Sequence, residues 1–348
     1  MKAWLTALLV SALSAWMLAA LAPRLRLVDQ PDARKQHDGA IPLVGGLAIL
    51  LGFVLSARMA GIAGNFAAVA LPVGLAVLVG LLDDIYDVPA QHKLWAQIVA
   101  VWLLLKTSGL SFETFALPGL GSIELGVLAT PFSVVMGVGL LNAINTIDGV
   151  DGLCGGLLII GLLLLAAMAD AVGMDGLQRI ILLLQAAVMG FWLLNTRLPW
   201  QGRARVFLGD AGAFGVGMLM LWIMLQLGGG PAPKIHWSAL LAACWMPMAD
   251  LLAVAALRLR CGQSPFAADR RHFHHLLLAQ GRSPGIVVLF AWGLAIFVAV
   301  AMYVLWRSGA RNGALLMAWV TACVVFALHL HRAWRDQGVF RKRDGEGA

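Results

Sequence analysis

The sequence predicts an all-α, polytopic integral membrane protein of about 11 transmembrane helices, with the N-terminus outside and the C-terminus cytoplasmic. Three observations predict it. The 348 residues are 61% hydrophobic and 12% charged, with a mean hydropathy of +0.85, whereas soluble domains are about half apolar and about a quarter charged. So little charge cannot cover a soluble surface of this size. The apolar residues also gather into runs near the roughly 20 residues that a bilayer-crossing helix needs. Finally, the charges sort between the two sides of those runs.

The runs lie near residues 3–21, 42–60, 66–82, 94–110, 125–144, 154–171, 177–195, 208–227, 236–257, 285–306 and 312–330. The first could pass for a signal peptide, but no convincing cleavage site follows it and it is expected to be a retained span. The third and fourth are short. No repeat or separate soluble domain interrupts residues 1–348, which form a single transmembrane domain ending in a basic cytoplasmic tail at 332–348. With the N-terminus outside, 18 of the 25 Lys and Arg residues face the cytoplasm, as the positive-inside rule requires. The acids fall on the same side or at its membrane edge, except Glu113, Glu124, Asp170 and Asp175. That rule says little about acids, so their gathering suggests a metal and phosphate site. The net charge of +7 is therefore read as orientation and anionic headgroups or substrates, with no nucleic acid. The four scattered cysteines form no CxxC pair and suit apolar packing.

Five cytoplasmic segments carry candidate chemistry. The first loop sets Arg34, Lys35 and His37 ahead of Gly45-Gly46 at a helix start, where glycines admit an anion and free N–H groups could hold it; loop charge and helix packing is the plain alternative. The second, Leu81-Leu-Asp-Asp-Ile-Tyr-Asp87, puts Asp83 and Asp84 at the end of a span. Acids at membrane depth are costly and usually functional, and Asp87 would share their face if the helix continued. The third, Asn142 to Leu153, holds Asn142, Asn145, Asp148 and Asp151 with two glycines, more polar groups than a turn needs. The fourth places Asp210 at a helix start after Arg203 and Arg205, either as a cap or as a hard ligand for Mg²⁺, with Mn²⁺ as a substitute. The fifth, Asp269-Arg-Arg-His-Phe-His-His-Leu276, offers Arg271, His272, His274 and His275. Charge-assisted clamping of a diphosphate, a zinc site and a solvated loop are its three readings. Asp250, deep in the ninth run, is left open between function and packing.

Together, in order and spacing, these segments resemble the polyprenyl-phosphate N-acetylhexosamine-1-phosphate transferases from Val28 to Gly281. The branch that looks closest loads N-acetylglucosamine-1-phosphate onto undecaprenyl phosphate. The match includes Arg34-Lys35-x-His37 with Pro42-Leu-Val-Gly-Gly46, and Asp269-Arg-x-His-x-His-His275. The resemblance implies roles. Asp83 would orient or deprotonate the lipid phosphate, Asp84 would lie beside the metal, and Asp210 would bind Mg²⁺. Phe207 would stack on uracil, Asn145, Asp148 and Asp151 would belong to the nucleotide loop, and His272, His274 and His275 would meet the diphosphate. Two departures stand out. Ala213 replaces a serine that the family often carries, and the first loop and His motif lack the muramoyl-pentapeptide pattern, which argues against a peptidoglycan precursor.

The expected reaction moves N-acetylhexosamine-1-phosphate, with N-acetylglucosamine as first choice, from a UDP-sugar to undecaprenyl phosphate and releases UMP. This would be the first membrane step of a surface polysaccharide such as O-antigen, at the cytoplasmic face of the bacterial inner membrane. GalNAc, QuiNAc or FucNAc is the alternative sugar. A transporter is the rival class, but it would need acids inside the spans. A homodimer is left open.

Overall fold

The computed structural model of the chain describes residues 1–30, 39–62, 66–119, 121–265 and 271–336. Its helices are α1 (Lys2–Leu21), α2 (Gly45–Met59), α3 (Ala67–Tyr86), α4 (Ala90–Ser108), α5 (Ala129–Ile147), α6 (Leu153–Ala171), α7 (Asp175–Asn195), α8 (Gly209–Gly228), α9 (Trp237–Leu240), α10 (Trp245–Arg260), α11 (Phe273–Ala279), α12 (Pro284–Arg307) and α13 (Asn312–Asp336). Every expected apolar run coincides with a helix. Among the described residues, nine helical segments are long and apolar enough to cross a membrane, and α9 and α10 together form one of them. The protein is an all-α, multi-pass membrane protein. Two short antiparallel pairs, β1 (Val28–Asp29) with β2 (Ile41–Pro42) and β3 (Thr114–Leu117) with β4 (Gly121–Glu124), were not expected from an all-α pattern.

Four expectations are corrected. The third run does not stop at residue 82: α3 continues to Tyr86, so Asp83 and Asp84 are helical rather than in a loop. Nothing breaks that helix until Val88-Pro89, where the proline bars its predecessor from the α region. Asp87 takes the left-handed conformation at the helix end, with φ 50°, one that Asp tolerates better than most residues. It therefore does not share the helical face of Asp83 and Asp84. The short element is α2, with 15 residues, whereas α3 and α4 have 20 and 19. The ninth run is broken by a 3-10 turn at Leu241–Cys244.

The centre of the bundle is α8. It is apolar on all sides, as a fully enclosed helix must be, and 94% of its apolar stretch is buried, against 17% for α1. Lipid tails are as apolar as side chains, so helices in a bilayer associate through close packing, which small residues permit. A Cβ on Gly46 would collide with Gly212, and one on Gly80 with the Asp210–Ala211 backbone. The backbones of α2 and α3 thus press directly on the first turn of α8. The Gly45 and Gly46 N–H groups donate to the Phe207 and Leu208 carbonyls, both at 2.9 Å, and the Phe207 N–H donates to Pro42 O at 2.8 Å. Of the two readings of Gly45-Gly46, this favours helix packing: their amides are spent on the Phe207 and Leu208 carbonyls and are not free for an anion.

Candidate active site

Four helix ends meet at one end of the bundle. Asp83, in the last turn of α3 and 8% exposed, accepts the Val88 N–H at 2.8 Å and the Lys93 ammonium at 2.7 Å. Lys93 belongs to the first turn of α4, which the Asp87–Pro89 turn folds back beside α3. Its Nζ also lies 3.9 Å from Asp210 Oδ2. Asn145, near the end of α5, donates to Asp210 Oδ1 at 2.6 Å. One turn earlier, Asn142 donates to Gln97 of α4 at 2.7 Å, fixing α5 against α4. The chain Asp83–Lys93–Asp210–Asn145 is therefore one polar network built from α3, α4, α8 and α5. The Asp83 and Asp210 ends lie at the same end of the bundle, as a shared pocket requires. Side chains of Lys93 and Asp210 remain 25% and 27% exposed, so a ligand can reach them.

Asp84 faces the other way. Its Oδ1 accepts the Asp210 N–H at 2.8 Å and its Oδ2 the Ala211 N–H at 3.1 Å. A carboxylate from α3 thus caps α8, supplying the acceptors that the first-turn amides of a helix lack. It does so at the dipole's positive end.

The third and fourth segments are stitched to each other. Asp151 Oδ2 accepts Arg197 Nε at 2.9 Å and the Ala204 N–H at 3.0 Å. Asn195 Oδ1 accepts the Gly152 N–H at 2.9 Å, while its amide donates to Val206 O at 3.0 Å. Gly152 has φ +82°, and a Cβ there would crowd Thr196. Asp148 lies at the end of α5, and its carboxyl is pushed up to about 7 by burial, then by the negative Asp151, Asp84 and Asp29. Phe207 is half-buried just before α8.

The fifth segment closes over this end. Asp250, fully buried in α10, accepts the Phe273 N–H through Oδ1 at 2.9 Å, and its Oδ2 lies 2.7 Å from His272 Nδ1. The His272 ring stacks on His274 at 5.9 Å, and His275 lies 4.2 Å from His274. A Cβ on Gly149 would strike His274, so α11 touches the 148–152 loop. Both ring nitrogens of His274 are buried without a hydrogen-bond partner among the described residues. Burial, then the neighbouring His275 and His272, holds its pKa well below the usual value. Arg271 donates to Gln263 at 2.8 Å, and its carbonyl accepts Trp334 Nε1 at 3.0 Å.

The structure thus joins Asp83 through Lys93 to Asp210 and Asn145, sets Asp84 behind them, and gathers His272, His274 and His275 beside the 148–152 loop. Arg34, Lys35, His37, Asp269 and Arg270 lie outside the described residues. Sequence reasoning missed Lys93, taken only as an orientation charge, though it follows paired acids across a turn too short to carry it away. Asp250 as the partner of His272 was also missed.

Magnesium suits this donor set. Among the described residues no group of three or more His, Cys, Asp or Glu could hold a metal. Mg²⁺, however, usually takes one or two carboxylates, keeps waters and adds substrate phosphates. Asp210, partly exposed beside Asp83, offers such carboxylates, whereas both Asp84 oxygens already accept α8 amides.

Fold and site define a multi-pass membrane protein with an acid–lysine–amide centre at one end of its bundle. Residues 66–228 match the model of glycosyl transferase family 4. The chain is 30% identical to the undecaprenyl-phosphate alpha-N-acetylglucosaminyl 1-phosphate transferase of Yersinia pestis, over 90% of this chain and 87% of that protein. It is 29% identical to the Escherichia coli K12 protein of the same name, over 90% and 86%. The chain belongs to glycosyl transferase family 4.

Proposed function

We propose that the protein transfers N-acetylglucosamine-1-phosphate from UDP-N-acetylglucosamine to undecaprenyl phosphate, releasing UMP, at the cytoplasmic face of the bacterial inner membrane. The observation that carries this reading is the Asp83–Lys93–Asp210–Asn145 network, built from four helices at one bundle end. Family membership and the names of the relatives support the same chemistry.

The reaction brings two phosphate-bearing anions together, so neutralising charge and holding geometry are its main demands. A lipid phosphate oxygen attacks the β-phosphorus of the UDP-sugar, and the bond from that phosphorus to the oxygen it shares with UMP breaks. Asp83, held by Val88 and Lys93, faces the lipid headgroup and orients it. Lys93 supplies fixed positive charge between the carboxylates. Asn145 keeps Asp210 in place, and Asp84 holds the first turn of α8 beneath it. Asp210 would be the main residue to hold Mg²⁺, and the ion, when bound, would supply neutralisation of the phosphates. Phe207, Asn142, Asp148 and Asp151 lie on the side assigned to the nucleotide, with Arg271, His272, His274 and His275 toward the diphosphate.

The test is UMP release and lipid-linked sugar formation by purified protein with Mg²⁺, undecaprenyl phosphate and a panel of UDP-N-acetylhexosamines. The expected result is turnover with UDP-N-acetylglucosamine that stops on chelation of the metal. Turnover only with another sugar of the panel would change the substrate and keep the chemistry. Solute uptake into vesicles without UMP release would sink the reading.

A further inference from the structure

The buried Asp250–His272 pair is the one acid–histidine contact among the described residues that the proposed chemistry does not yet use. Asp250 sits in the second turn of α10, with no exposed surface. A carboxylate is rarely placed in such surroundings without a partner, and here it has two. One oxygen accepts a backbone N–H, that of Phe273 at the start of α11; the other is 2.7 Å from His272 Nδ1. A carboxylate only accepts, so Nδ1 carries the proton and Nε2 is the ring nitrogen left for chemistry. Histidines that must act through one nitrogen are commonly held by a buried group on the other.

We propose that Asp250 is a positioning residue for His272. It fixes Nδ1 as a donor and, in the form of the ring that carries protons on both nitrogens, balances the ring's charge. His272 then gives the diphosphate of the sugar donor a charge-assisted hydrogen bond. The proposal rests on the reading of the reaction given above.

Replacing Asp250 with Asn separates this role from a structural one. The Phe273 N–H cannot change from donor to acceptor, whereas the His272 ring can move its proton. Asn therefore turns its oxygen to Phe273 and its NH₂ to His272 Nδ1, which drives the ring proton to Nε2. The cap survives and the tautomer inverts. A doubly protonated ring would then set one donor against another, so the charged form is lost. Inversion of a histidine tautomer by this exchange costs ~10⁴-fold in a serine protease triad. Loss of a charge-assisted bond here is expected to lower kcat for UMP release at least ~10-fold, with a smaller change in KM.

Three measurements test it. In protein labelled with ¹⁵N-histidine, the His272 signal, assigned by its loss in His272→Gln, should report Nδ1–H in the wild type and Nε2–H in Asp250→Asn. In a double-mutant cycle, Asp250→Asn should have almost no further effect on kcat in the His272→Gln background, because it acts through that ring. Unfolding temperatures of Asp250→Asn and wild type should be similar. A wild-type ring in the Nε2–H form, full additivity in the cycle, or Asp250→Asn with wild-type kcat would each overturn the proposal. Absence of UMP release by the wild type would instead strike at the reaction itself, since the tautomer measurement needs no turnover.

Discussion

Two aspartates at this end of the bundle cap helices to which they do not belong, and they do so differently. Asp84 reaches from α3 to the start of α8 and spends both oxygens on backbone amides. Asp250 reaches from α10 to the start of α11 and gives one oxygen to an amide and one to an imidazole. A backbone amide has fixed polarity, whereas an imidazole can reverse which nitrogen donates. The first arrangement holds a helix start in place through partners that cannot change their polarity. The second can hold a helix start and also set the chemical state of a ring. Similar geometry thus supports assembly at α8 and assembly plus chemistry at α11.

The largest expected effect falls on the residue that the α8 cap positions. Asp210→Asn keeps an oxygen for the Asn145 amide but loses the charge, so UMP release should fall by ~10³-fold, at the upper end of what loss of one electrostatic stabiliser costs. Its unfolding temperature should not fall, because Asp83 loses a like-charged neighbour. A drop in stability matching the drop in activity would make Asp210 part of the scaffold instead. Lys93→Met should come next, with ~10²-fold loss of turnover, since it leaves two carboxylates facing each other without a cation. Activity of Lys93→Met close to wild type would remove the ammonium from the centre.

The comparison is sharpest in the matched pair Asp84→Asn and Asp250→Asn. At position 84 the new NH₂ must face an amide N–H, whichever way the side chain is turned. One helix-start donor is left without an acceptor, a loss of about 1–3 kcal/mol. Asp84→Asn should therefore unfold at a lower temperature and also lose turnover, about tenfold, because the start of α8 shifts with Asp210. Asp250→Asn should lose turnover while unfolding like the wild type. If both variants lost stability equally, the difference between backbone and ring partners would have no energetic meaning.

How much of this was legible beforehand depends on distance along the chain. Apart from the ninth, each apolar run falls in a single helix, so their order and approximate ends could be read directly. The paired acids, Asn145 and Asp210 could be picked out because polar groups beside long apolar runs need a reason. What could not be read was which group meets which. The Asp84–Asp210 contact spans 126 residues of sequence, and the Asp250–His272 contact forms only once α11 folds back on α10. Gly45-Gly46 stayed open between two readings for a related reason. A glycine that admits an anion and one that admits a neighbouring helix look identical in sequence, and only the Gly212 backbone against Gly46 decides between them. Lys93 was hidden by a sorting rule that explains basic residues on one side of a membrane without asking what they touch.

The smallest expected effect tests the acid that neither cap relieves. Asp148 stands among Asp151, Asp84 and Asp29, and its carboxyl is pushed up from 3.8 to about 7. A carboxyl raised on folding holds its proton more tightly in the folded chain than in the unfolded one. Its stability contribution is thus fully present below the unfolded value and is lost as pH rises through the folded value. Between pH 4 and pH 7 the contribution of Asp148 should fall, and above that window its loss should level off. Asp148→Asn has no proton to lose there. Its unfolding temperature should exceed that of the wild type at pH 8 by about 2 °C or more, and the gap should narrow as pH falls toward 5. A gap of the same size at both pH values would mean that packing of the side chain, rather than its crowded charge, sets the difference.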